Sequence, residues 1–61
     1  MKRRDLLRHL ESHGCQLDRE GANHSIYRNP ANGRCAAVPR HTEVKDTVAH
    51  TICDQLAIPR P

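Results

Sequence analysis

Three glycines and a proline constrain this chain more than any other feature. Gly14, Gly21, Gly33 and Pro39 stand at the ends of short segments of contrasting pattern, each long enough for one helix or one strand. Before Gly14, the residues Leu6, Leu7 and Leu10 fall on one helical face, which predicts a helix from Arg3 to His13 with Gly14 as its stop. From Cys15 to Glu20, Cys15 and Leu17 alternate with Gln16 and Asp18, a short strand closed by the turn "EGAN". His24 to Asn29 reads as a second strand ending at "NPANG", and Arg34 to Val38 as a third, stopped by Pro39 because proline cannot donate to a ladder. After "PRHTE", Val44, Val48, Ile52 and Leu56 recur every four residues, with Ala49 and Cys53 widening the stripe. The segment "VKDTVAHTICDQLAI" is therefore a second helix, with Asp46 or Thr42 as candidate cap and "IPRP" as terminator.

The order α-β-β-β-α defines an α+β domain: a three-stranded antiparallel sheet that buries one face beneath both helices. Sixty-one residues suffice for one such domain, residues 1–61. The cysteines, Cys15, Cys35 and Cys53, are odd in number and follow no leader-like segment, so reduced thiols in a cytoplasm are expected rather than a secreted disulfide framework. No apolar run approaches the length of a membrane span. Ten Lys and Arg against seven Asp and Glu give a formal charge of +3, a balance that suits a polyanion without demanding one. Lys2, Arg3 and Arg4 crowd the first turn of a helix, where the dipole favours acids, and only Asp5 compensates locally.

Candidate chemistry narrows quickly. His9 and His13 are four apart on the first helix with Cys15 nearby, but no second cluster supplies further metal ligands at a recognised spacing. Cys35 and Cys53 lie in apolar runs and read as small core residues, and none of the thiols looks activated. His24 differs. It sits where a turn releases the chain into a strand, between Asn23 and Ser25, with Arg19, Arg28 and Arg40 in the same region of the sheet. Imidazole, with an ordinary pKa of about 6.5, accepts and gives a proton near neutrality, as RNA cleavage through the 2′-hydroxyl requires. Guanidinium groups nearby would hold the phosphate. A structural histidine is the competing reading.

The stretches "MKRRDLLRHLESHGC", "EGANHSIYRNPANGR" and "AVPRHTEVKDTVAHTICDQLAIP" resemble the HicA family of toxin-antitoxin ribonucleases over nearly the whole chain. The resemblance is carried by the Gly-x-Asn-His-Ser run ending at Ser25, the Asn-Pro-Ala-x-Gly-Arg turn and the Val-Pro-Arg-His loop. It implies a small domain with the double-stranded-RNA-binding fold that cleaves messenger RNA without the ribosome, no cofactor, a neutralising partner of the HicB type, and an essential histidine at His24. The departure is Ala22, where relatives usually carry glycine; a positive φ there would cost about 1 kcal/mol and tilt His24.

The chain has one aromatic residue, Tyr27, and no Phe or Trp, so base stacking is not the expected mode of RNA recognition. Contacts to phosphates and 2′-hydroxyls are expected instead, from Lys2, Arg3 and Arg4 and from His41 with Lys45, beside Asn23, Ser25, Arg28 and Arg40 around His24. Which face of the sheet His24 occupies depends on whether Ile26 or Tyr27 points inward, and both assignments satisfy the alternation. A non-catalytic RNA-binding domain and a protein that only engages an antitoxin are the alternatives to a nuclease. Binding through phosphates predicts that RNA affinity falls as salt rises and that Lys45→Ala reduces the slope. Titrations between low and physiological ionic strength check this, and salt-independent binding removes the phosphate-contact mode.

Overall fold

A computed structural model describes all of residues 1–61. The elements are α1 (Arg3–Ser12), β1 (Gln16–Glu20), β2 (His24–Asn29), β3 (Arg34–Pro39) and α2 (Asp46–Leu56), in the order expected of a double-stranded-RNA-binding fold. The strands lie in sequence order with β2 in the middle, antiparallel to both neighbours. One buried cluster draws Leu6 and Leu10 from α1, Ala49, Ile52, Cys53 and Leu56 from α2, and Tyr27, Ala36 and Val38 from the sheet. Both helices therefore pack on the same sheet face.

The parity of β2 sets that face. Its inward residues are Ser25, Tyr27 and Asn29, at 1%, 6% and 5% exposure, while Ile26 is only half-buried on the other side. Hydrophobicity would have chosen Ile26, but the polar residues on the inward parity are satisfied. The Ser25 hydroxyl accepts from Arg3 Nη2 at 2.9 Å. Asn29 Nδ2 donates to the Leu56 carbonyl at 2.9 Å and its Oδ1 accepts from the Ala31 N–H at 3.0 Å. Asn32 Nδ2 donates to the same Leu56 oxygen at 3.1 Å, so the β2–β3 turn docks on the carbonyl end of α2, where the helix has no internal partner to offer.

Several expectations are corrected by packing. Cys35 is exposed, opposite Arg28 on the outer face, because Ala36 and Val38 take the inward parity of β3. Val48 is exposed, since the buried stripe of α2 runs through Ala49, Ile52, Cys53 and Leu56. Leu17 pairs with the inward Tyr27 but lies on the edge strand and stays half-exposed. A bulge at Asp18 then switches parity, so that Arg19 faces outward opposite Ile26. Val44 joins the core from the loop, and α2 begins at Asp46 without a side-chain cap from either Asp46 or Thr42. A backbone ladder takes over the anchoring: Val44 N–H donates to Met1 O at 2.8 Å and Arg3 N–H to Thr42 O at 2.8 Å, tying the two helix starts together.

Both helices end in the same motif with different residues. In α1, Gly14 (φ 84°) donates to Glu11 O and Cys15 donates to Leu10 O, each at 3.0 Å. In α2, Ala57 takes the left-handed position (φ 58°), donating to Asp54 O at 3.1 Å, and Ile58 donates to Cys53 O at 3.0 Å. Glycine carries no Cβ penalty there, so Ala57→Gly is expected to stabilise the fold by about 1 kcal/mol. Chemical denaturation checks it: the midpoint should rise with an unchanged slope.

Candidate functional site

With Tyr27 inward, His24 points the other way. It is exposed on the sheet face that neither helix covers, paired with Pro39 at the end of β3. The same face carries Ile26 and Arg28 of β2, Cys35 and Ala37 of β3, and Arg19 of β1. His24 is thus no core histidine.

The turn that delivers His24 is held at several points. Gly21 N–H donates to the His24 carbonyl at 2.7 Å, and a Cβ on Gly21 would meet that oxygen at 3.1 Å, so the close approach is what requires glycine. Ala22 carries no such demand, because Ala57 is the sole non-glycine residue with positive φ. The strain anticipated at Ala22 is absent. Arg40 reaches across from β3, its Nη1 donating to Ala22 O at 3.3 Å and its Nη2 to Gly21 O at 2.5 Å. The same Nη2 pairs with the Glu20 carboxylate at 3.2 Å. The Ser25 hydroxyl and then Arg40 hold the Glu20 carboxyl below its ordinary range.

His24 is shared by two adjoining cavities. One, of about 460 Å³, brings it together with Pro39, His41, Glu43 and Lys45. The other, of about 300 Å³, adds Asn23, Arg40 and again His41. Arg40 also walls a third cavity of about 340 Å³, lined by Lys2, Arg3, Arg4 and Thr42. Asn23, Arg40, His41 and Lys45 therefore gather around His24. The remaining candidates are placed elsewhere. Ser25 is buried on the opposite face and bonded to Arg3, which withdraws it from direct substrate contact. Arg3 is half-buried, with Nε donating to Pro39 O and Nη2 to Ser25 Oγ, both at 2.9 Å. Arg28 lies on the outer face but four residues along the strand, about 13 Å away at about 3.3 Å per residue.

Other reactive side chains are occupied or inert. His9 Nε2 donates to Pro59 O at 2.6 Å, and its ring meets His13 edge-on with centroids 4.7 Å apart. Burial pushes the Cys15 and Cys53 thiols up, away from the thiolate form. No group of three or more His, Cys, Asp or Glu side chains gathers to hold a metal ion.

The family model for the HicA toxin of bacterial toxin-antitoxin matches residues 3–58 of the 61-residue chain. The chain belongs to the HicA toxin family. No curated protein and no solved structure matches it. Membership of a toxin-antitoxin family implies an antitoxin partner for this HicA protein. No helix is long and apolar enough to cross a membrane.

Two parts of the candidate site escaped the sequence. Glu43 enters the His24 groove because its loop folds back beside β3, and Glu20 meets Arg40 across the sheet end. Neither has a periodicity or motif to announce it, since both contacts join residues distant in sequence. The Glu20 contact has a pH signature. A carboxyl whose folded pKa is depressed contributes stability above its unfolded value and loses that contribution as pH falls through the folded one. The wild-type protein should therefore be more stable than Glu20→Gln at neutral pH, and the gap should close in acid below the ordinary glutamate range. Paired denaturation curves at the two pH values check this.

Proposed function

We propose that this HicA protein is an endoribonuclease toxin that cleaves messenger RNA at His24 and is neutralised by a HicB-like antitoxin. The observation that carries the reading is the position of His24: an exposed imidazole on the uncovered sheet face, where cavities lined by Arg40, His41 and Lys45 meet. Family membership supports the same conclusion.

The chemistry needs one proton moved and one phosphate held. His24 takes the proton of the 2′-hydroxyl as that oxygen attacks the adjacent phosphorus; the bond from phosphorus to the 5′-oxygen breaks, and the leaving oxygen takes up a proton from water. Arg40, His41 and Lys45 stand around the phosphoryl group and oppose the charge that builds in the transition state. Arg40 has a second duty, since the hydrogen bonds that hold Gly21 and Ala22 also fix where the His24 backbone begins. Asn23 lines the same cavity and offers an amide to the ribose or phosphate. A HicB-like antitoxin that covers the open sheet face would remove His24 from RNA directly, with carboxylates on Arg28 or Arg40 in place of phosphate.

His24→Ala is expected to abolish cleavage of a long single-stranded RNA and growth inhibition, with the circular-dichroism spectrum and melting temperature nearly unchanged, because the side chain contributes nothing to the core. Retained RNA binding in the variant keeps the reading. Binding by wild type without cleavage would select a non-catalytic RNA-binding domain, and neither binding nor cleavage an antitoxin-binding protein. A large fall in melting temperature along with lost cleavage would make His24 structural.

A further inference from the structure

The cavity walled by Lys2, Arg3, Arg4 and Arg40 lies at the end of the sheet, on the helix side, away from the face that carries His24. Its placement follows from Arg3, which bonds both Pro39 O and the inward-facing Ser25 hydroxyl. The lining also includes Leu7 and the Thr42 residue, and no carboxylate. Two carboxylates reach the lining cations from outside: Glu43 Oε1 is 3.5 Å from Lys2 Nζ, and Glu20 Oε1 is 3.2 Å from Arg40 Nη2. Arg4 makes no ion pair, and Arg3 makes only neutral hydrogen bonds. Four cations thus surround about 340 Å³, and Arg4 alone among them has neither an ion pair nor a side-chain hydrogen bond.

Convergent like charge costs stability unless something opposes it. Arg3 and Arg40 have structural partners that explain their positions, but Lys2 and Arg4 have none of comparable quality: Lys2 is about half exposed in its pairing with Glu43, and such pairs contribute little. The first turn of α1 adds the positive end of the helix dipole to the same space. Those features together suit an anion.

We infer that this cavity is a second phosphate subsite, which holds a phosphodiester of the RNA strand outside the one being cleaved. The inference rests on the ribonuclease reading of His24. Arg40 is the shared wall: one side of it borders the cavity that contains His24, the other the Lys2 and Arg4 cavity. An RNA strand that lies against Arg40 passes around the sheet end, with the scissile phosphate at His24 and a neighbouring phosphate between Lys2 and Arg4. Binding energy from that remote phosphate orients the reacting one. Substrates with a single phosphate cannot reach it.

The test is a length series: a dinucleoside monophosphate, the same dinucleotide extended at either end, and a long single-stranded RNA, cleaved by wild type and by Arg4→Glu. Wild type should show KM falling as phosphates are added, and Arg4→Glu should raise KM for the long RNA roughly tenfold or more, with a smaller effect on the dinucleotide. Equal effects on short and long substrates, or none on either, overturn the subsite even though cleavage itself proceeds. A second arm uses His24→Ala and inorganic phosphate, followed by amide shifts. Shifts confined to Lys2, Arg4, Arg40 and Thr42 that vanish in His24→Ala with Arg4→Glu support the site whether or not wild type cleaves RNA. Shifts there, in a protein whose RNA cleavage shows no length effect, restrict the cavity to free phosphate and overturn the RNA subsite.

Discussion

The inward parity of β2 is the constraint on which the rest of this HicA protein depends. Tyr27 is the one aromatic residue available to fill a small core, and placing it inward obliges Ser25 and Asn29 to follow, since alternate strand residues share a face. Each is then buried, and each needs a partner. Leaving a buried hydroxyl or amide unpaired costs about 1–3 kcal/mol, a large share of the stability of a domain this size. Arg3 answers Ser25, and the Leu56 carbonyl answers Asn29. Through these two bonds the middle strand is tied to the start of α1 and the end of α2. The same parity turns His24 out.

Two arginines that look like RNA contacts are therefore partly structural. Arg3 joins α1 to β2 and β3, and Arg40 holds the turn ahead of His24. Guanidinium suits such work because its planar fork presents several donors at fixed angles. A lysine in either place would carry the charge without the planar fork that fixes the angle between the two hydrogen bonds. The basic character of this small protein thus combines charges that order the fold with charges, such as Lys2, Arg4 and Lys45, that have little else to do. That division decides which cations are available to a polyanion.

The open sheet face has a cost as well as a use. Ile26, Cys35 and Ala37 leave apolar surface uncovered by either helix, in a chain with little apolar material to spare. A partner that closes this face would bury that surface together with His24. The edge strand β3 is closed to further extension at one end by Pro39, which lacks an N–H, and the clamp of Arg40 begins there.

The sequence alone determined the five elements, their order and their stops, because the helical stripes and the turns around Gly14, Gly21, Gly33 and Pro39 are local properties that no packing had to decide. It also singled out His24 and its neighbour Asn23, which share a motif contiguous along the chain. Tertiary structure decided the faces. Cys35 and Val48 looked like core and are exposed, Leu17 is left at the edge, and a bulge at Asp18 sends Arg19 outward. Period-two and period-four patterns fix which residues lie together but not which side is buried, and here hydrogen bonds from Arg3 and to Leu56 allowed Ser25 and Asn29 to outweigh Ile26. Ser25 is buried away from the His24 groove for that reason, and only folding brings Glu20 to Arg40 and Glu43 to His24.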